Sequence, residues 1–305
     1  RVMLSVYDAL LRIFDSGWEV EGIGVEKSRG RGIQIGTDRG ERVQNVRLIN
    51  VETKYTHNRA IHLQGDNIDL DGIRVAYAGD FLREPRSRAT QDWPTSVGTV
   101  DASNVVIKNA KIHDCVGEGL AIGRAHDIYL ENITVWNCKI NLYINVAYNV
   151  TGKNILLYQA GASVWEPATR NFSINHERIM SQRWGKADNT YNITIEDMTC
   201  AYGEENLSIF TQLETARLQN VTLKNTKLIG GKDSNLNIAR NRVDNFVLNG
   251  LEMQQSIGGQ NVAGNTAGYL IVNVAEIDTT YPNDFNPDWS ESDAAQLFGY
   301  EVQTF

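Results

Sequence analysis

The sequence predicts an all-β chain wound into a parallel solenoid, and three observations predict it. A ten-residue pattern recurs, as SNVVIKNAKI (103–112), HDIYLENITV (126–135), YNVTGKNILL (148–157) and YNITIEDMTC (191–200). Two columns of Gly, Asn or Asp stand five residues apart in every copy. Between the columns apolar and polar residues alternate, the period of half-buried strands and not of helices.

The first column runs Gly17, Asn45, Asn67, Asn104, Asp127, Asn149, Asn192, Asn220 and Asn245. The second runs Gly22, Asn50, Gly72, Asn109, Asn132, Asn154, Asp197, Asn225 and Gly250. These residue types tolerate a left-handed backbone at small cost, so both columns read as tight corners. One residue past the first corner stand Trp18, Val46, Ile68, Val105, Ile128, Val150, Ile193, Val221 and Phe246, an inward row. A third short strand precedes each first corner: GIQIG (32–36), AIHLQ (60–64), GLAIG (119–123), NLYIN (141–145), NFSIN (171–175), NLSIF (206–210) and NLNIA (235–239).

Uninterrupted copies are 22 or 23 residues apart. Three short strands and three corners of that length fit one coil of a parallel β-helix, stacking at roughly 4.8 Å per layer. One coil cannot bury its apolar face, whereas a stack makes a continuous core. The pattern predicts about nine or ten coils over residues 17–273 in a single 1–305 domain. Stacked Asn side chains then form ladders. Solenoid ends need covering. Residues 1–16 are expected as a cap or partial coil, with YDALLRIF (7–14) readable as a short helix or an irregular coil. Residues 274–305 are expected as an irregular cap.

Composition removes several function classes. The 305 residues carry a net charge of −8, and nine acidic residues with no Lys or Arg follow Arg242. The rest is close to neutral, without the basic excess that nucleic-acid binding needs. No apolar run reaches membrane-spanning length. The chain opens on Arg1 with no signal peptide, as expected for a mature or trimmed product. The three cysteines form no disulfide framework or zinc spacing; Cys115 and Cys138 fall in adjacent coils, as a disulfide or as stacked thiols.

The period breaks at two long inserts, 76–97 and 158–190. Both are expected to leave and return at the same corner, three coils apart, about 14 Å at the strand spacing. Long loops on a rigid scaffold concentrate function. The wall between them carries Thr99, Asp101, Glu118, Ala121, Arg124, Tyr143 and Asn145. The inserts add Arg83, Arg86, Arg88, Trp165 and Arg178. Arginine forks match carboxylates, and tryptophan faces stack on sugar rings, so Arg86, Arg88, Arg124, Tyr143, Asn145, Trp165 and Arg178 are candidate substrate-binding residues for an acidic polysaccharide. Candidate bases are His62 and His176. Asp101 and Glu118, one coil apart, are candidate paired carboxylates.

The corner columns resemble the right-handed parallel β-helix superfamily, with its Asn ladder at one turn. That group includes pectate lyases, polygalacturonases, alginate epimerases and secreted bacterial repeat proteins. REPRSR (83–88) resembles the R-x-P-x-x-R signature of pectate lyases, which implies a catalytic Arg83 and a substrate-binding Arg88. The W-x-D-H block of that family is absent. The resemblance implies an extracellular or cell-surface protein whose partner is a polysaccharide or surface glycan, with calcium as the one cofactor it suggests and no ligand placed. The leading expectation is a polysaccharide lyase acting by β-elimination in the groove between the inserts. The alternatives are a non-catalytic structural, adhesion or phage-spike solenoid, and a glycoside hydrolase with paired carboxylates.

Overall fold

The computed structural model describes residues 9–36, 42–79, 95–161, 169–177, 189–211, 218–239, 243–254, 260–264, 269–272 and 275–276. They form a right-handed parallel β-helix with three faces. The first face stacks Ala9–Ile13, Arg31–Ile35, the start of Ile61–Asp71, three passes of Val97–Tyr158, Arg170–His176, Glu205–Thr211, Ser234–Ala239 and Gln260–Gly264. Every interstrand pair is parallel, as Ile33↔Ile61↔Val97 illustrates on this face. The corners keep the ladder so regular that Val97–Tyr158 is one continuous strand of 62 residues, bent around the coil.

The two corner columns take the left-handed conformation expected of them: Asn45, Asn67, Asn104, Asp127, Asn149, Asn192 and Asn220 have φ between 51° and 58°. Asn50, Asn109, Asn132, Asn154, Asp197 and Asn225 lie between 48° and 55°. Their amides form ladders along the axis. Asn132 Nδ2 donates to Asn109 Oδ1 at 2.9 Å, and Asn154 Nδ2 to Asn132 Oδ1 at 2.7 Å. In the other column Asn192 donates to Asn149, and Asn220 to Asn192, each at 3.0 Å. Gly72 keeps the second corner with φ 68°, where a Cβ would stand 2.4 Å from Asn50 Oδ1.

A further ladder lies inside. Asn141, Asn171, Asn206 and Asn235 open successive strands of the first face and are fully buried. Each Nδ2 donates to the next Oδ1, at 2.6, 2.7 and 2.7 Å. Asn171 and Asn206 also donate to the carbonyls of Ala201 and Ile229. These amides satisfy backbone groups at a buried corner, which apolar side chains cannot do.

The inward rows form one core running along the axis, including Val46, Leu48, Ile68, Leu70, Val105, Ile107, Ile193 and Leu223. Gly152 interrupts the Leu/Ile row; the δ-carbons of Ile195 and Ile155 crowd its place, 2.8 and 3.0 Å from where a Cβ would sit. Trp18 departs from its row at 54% exposed, just ahead of the strand Glu19–Glu21 that pairs with Arg47–Ile49. Residues 9–13 form a strand in register with Arg31–Ile35, so the described part of YDALLRIF belongs to a coil. Cys115, Cys138 and Cys200 are buried free thiols. Among the described residues no helix is long and apolar enough to cross a membrane.

The departures from the period lie where expected. The first follows the strand Arg74–Ala78 and ends where Val97 joins the first face. The second is interrupted: Arg170–His176 is a regular strand of the first face, paired with Ile140–Asn145 and with Glu205–Thr211. The residues in excess of the period are therefore divided, some before Arg170 and some after Glu177. Most of the expected C-terminal cap lies outside the described residues.

Candidate active site

The outward column of the first face runs through Gln34, His62 and Gly98, then Ala121, then Tyr143, Ser173, Ser208 and Asn237. Ala121 sits one 22-residue period before Tyr143. A column facing away from the core would ordinarily be wet. Instead Gln34, His62, Tyr143, Ser173 and Ser208 are buried, while Ala121 is half-buried. Gly98 and Ala121 are the small residues of this column and mark a step in its row of side chains between His62 and Tyr143; over Gly98 the Thr95 methyl stands 2.9 Å from where a Cβ would sit and fills part of it.

On one side of the step is a cationic group. Arg59 Nη1 lies 2.8 Å from His62 Nδ1. A guanidinium only donates, so this ring nitrogen accepts. Burial first, and then the charges of Arg59, Arg31 and Arg124, hold the His62 imidazole well below its usual range. His62 is therefore neutral at pH 7, and three guanidinium groups surround it. Arg31 and Arg59 hold equivalent places in adjacent layers. Arg124 is at a corner with φ 49°, equivalent to Asp101 (φ 53°) and Val146 (φ 52°) in the layers on either side.

On the other side is an acid–base cluster. Glu118 is 6% exposed and accepts a 3.0 Å hydrogen bond from Thr95 Oγ1. Burial pushes its carboxyl up to about 7; the Thr95 hydrogen bond and the Lys139 charge oppose the rise, and Glu177 adds to it. Tyr143 Oη donates to Glu177 Oε1 at 2.6 Å and accepts from Asn175 Nδ2 at 2.8 Å. Asn145 Oδ1 receives the backbone N–H of Glu177 at 3.0 Å. Burial, then the charge of Glu177, raises the Tyr143 phenol well above its usual range, and Glu118 adds to this. Tyr143 is thus a neutral donor at any physiological pH, with two carboxyl groups in electrostatic reach.

The structure separates other candidates from this cluster. Asp101 pairs with Arg42 at 2.9 Å, and Arg42 also forks onto Asp66 at 2.6 and 2.8 Å. Ser103 donates to the same Asp66. The carboxylate gathered with Glu118 is Glu177, from the strand that interrupts the second insert. His176 is fully buried at the end of that strand. The Thr190 hydroxyl donates to the Asn175 carbonyl at 3.0 Å, so its oxygen accepts from His176 Nδ1, also at 3.0 Å. That bond pins the return of the chain and occupies one ring nitrogen. Arg83, Arg86, Arg88, Trp165 and Arg178 lie outside the described residues. Among the described residues no group of three or more His, Cys, Asp or Glu is arranged to hold a metal ion, and no calcium ligands emerge for the cofactor suggested by the resemblance.

A signal for the cluster was present in the sequence. NLYIN and NFSIN carry Tyr143 above Ser173 and Asn145 above Asn175, and Glu177 follows two residues later. Assigning 170–176 to a coil places Glu177 at the rim of the column.

Fold and wall together define the class: a right-handed parallel β-helix with buried ionisable groups on its outer face. No protein-family model matches the chain, and no curated protein matches it in sequence. Among solved structures it is similar to a hyperthermoactive exopolygalacturonase from Thermotoga maritima, with a TM-score of 0.60 at 14% identity over 81% of this chain and 55% of that one. It is also similar to the tailspike protein of the E. coli bacteriophage HK620, in complex with a pentasaccharide, with a TM-score of 0.58 at 7% identity over 89% of this chain and 56% of that one. The matched region is therefore little more than half of either structure. Identities this low establish the fold alone.

Proposed function

We propose that the protein is an extracellular or cell-surface enzyme that cleaves an acidic polysaccharide at the step between His62 and Tyr143, with Glu118 as proton donor. The observation that carries this reading is the Tyr143–Glu177 hydrogen bond, with the charge of the buried Glu118 carboxyl felt at Tyr143 and that of Glu177 felt at Glu118. Cleaving a glycosidic bond requires a proton on the leaving oxygen and stabilisation of the positive charge that develops on the sugar ring. A buried carboxyl still protonated near neutrality suits the first task. A carboxylate held by a phenol and a backbone contact suits the second, directly or through a water that becomes the new hydroxyl. Products are then two sugar chains, one with a new reducing end, for each water consumed. The guanidinium groups of Arg31, Arg59 and Arg124 favour a substrate with carboxylate or sulfate groups.

A β-elimination reading also has support. The neutral His62 imidazole among three arginines resembles the base and carboxylate-neutralising cations that proton removal beside a uronate requires. His62 and Tyr143 stand three layers apart, about 14 Å at the strand spacing. Elimination would thus act around His62, away from the carboxyl pair, and hydrolysis is the reading favoured here.

A panel of pectate, alginate, glucuronate-containing and neutral polysaccharides tests this. Hydrolysis predicts new reducing ends without the ultraviolet absorbance of an unsaturated sugar. Reducing ends with that absorbance support elimination. Neither signal on any polymer removes the catalytic reading and leaves a non-catalytic solenoid.

A further inference from the structure

Beyond the cleavage site, the outward column changes character along the axis. Up to the step it is flanked by guanidinium groups. Past Tyr143 it continues as Ser173, Ser208 and Asn237, one per layer in strict register. The flanking ion pair there is closed: Arg170 Nε meets Glu205 at 2.8 Å, and Asn237 Nδ2 donates to the same carboxylate at 2.7 Å. This half of the wall offers hydroxyl and amide groups with no net charge.

Ser173 gives the second, independent observation. Its side chain is fully buried, and its Oγ has no hydrogen-bond partner. A buried hydroxyl left unsatisfied costs about 1–3 kcal/mol, and such a group calls for an explanation. A ligand hydroxyl over Tyr143 and Ser208 would supply the missing partner.

We propose that Ser173, Ser208 and Asn237 form a subsite for an uncharged, hydroxyl-bearing sugar, so that the wall takes a mixed polysaccharide with its acidic residue on the Arg59–Arg124 side and a neutral residue past Tyr143. This rests on the glycan-cleaving reading above and deepens it by naming the substrate class. A homopolymer of uronates would set a carboxylate over this half, where Arg170 is already paired with Glu205 and the Glu177 carboxylate at the rim repels it.

Binding of hexasaccharides to the full chain carrying Glu118→Gln, measured by calorimetry at fixed salt, tests the subsite without requiring catalysis. Three probes are used: alternating uronate and neutral hexose, uronate only, and neutral hexose only. The alternating probe is expected to bind at least tenfold more tightly than either homopolymer. Adding Ser173→Ala is expected to weaken the alternating and neutral probes about tenfold and leave the uronate probe unchanged. Because the hydroxyl has no protein partner, the same substitution is expected to keep or raise the thermal midpoint, which separates a binding role from a structural one. Adding Arg124→Gln is expected to weaken only the probes that carry uronate. The subsite is overturned if the uronate probe binds as tightly as the alternating one, if Ser173→Ala leaves binding unchanged, if Ser173→Ala lowers the thermal midpoint, or if no probe binds. Failure of the cleavage reading looks different: wild-type protein then binds the alternating probe without cutting it.

Discussion

Tyr143 Oη donates a 2.6 Å hydrogen bond to Glu177 Oε1. The bond joins a wall residue of an unbroken coil to a carboxylate placed where the chain leaves the next coil. Neither residue has this partner without the strand Arg170–His176, which stacks Asn175 on Asn145 and brings Glu177 back over Tyr143. The scaffold thus builds the cluster from positions 34 residues apart in the chain.

Tyr143→Phe removes both the donor to Glu177 and the acceptor of Asn175, whose amide is buried. The expected result is a loss of about 1–3 kcal/mol in stability. Denaturant midpoints of the two proteins check it. The substitution is also expected to lower turnover on any polymer the enzyme cuts.

The inner ladder should matter more than the outer ones. Asn171→Ala takes the acceptor away from Asn141 Nδ2 and from the Ala160 N–H, and removes one donor each from Asn206 Oδ1 and the Ala201 carbonyl, all at a buried corner. It is expected to destabilise by about 2–4 kcal/mol. Asn132→Gly keeps a backbone suited to φ 55° and loses only exposed amide bonds, so about 1 kcal/mol or less is expected. Comparative chemical denaturation ranks the two.

Glu118 sets a pH dependence of stability. Its carboxyl stands at about 7 when folded against an ordinary 4.5, so the folded chain holds a proton that the unfolded chain has released. Its contribution is therefore full below about pH 4.5 and is lost as pH rises towards 7, on the order of 3 kcal/mol. Glu118→Gln is expected to flatten this fall and to be the more stable protein at pH 8. Thermal midpoints from pH 4 to 8 measure it.

His62 works in the opposite sense. Its folded value lies well below 6.5, so the unfolded chain takes up the proton first, and stability is lost as pH falls below 6.5. Nitrogen-15 NMR at pH 7 is expected to show a neutral ring with Nδ1 unprotonated, as its contact with Arg59 requires. A charged imidazole at that pH would remove it as a base.

The scaffold was legible in the sequence because a left-handed corner admits few residue types and an inward row must be apolar. Asn109, Asn132 and Asn154 therefore identified both their conformation and their neighbours. The inner ladder was written as plainly, in the leading Asn of NLYIN, NFSIN, NLSIF and NLNIA. Alternation reads Asn as outward, however, and Asn171 points into the core because its partners are backbone groups. The site was legible in part. Glu118, Tyr143 and Asn145 follow from strand parity. NFSIN reads as a coil strand, but the bounds 158–190 leave Glu177, two residues past it, among insert residues; the Arg42 fork that holds Asp101 arises from a contact two coils away that no local spacing encodes.

Glycosidic-bond cleavage by wild type and Glu118→Gln, measured as new reducing ends at pH 6 on the panel described above, tests the central claim most directly. The prediction is that wild type cuts at least one acidic polymer, and that Glu118→Gln, folded with an unchanged or higher thermal midpoint, is slower by roughly 10²–10⁴-fold, the range for loss of a general acid. Equal rates for the two proteins would contradict it and move the chemistry away from Glu118.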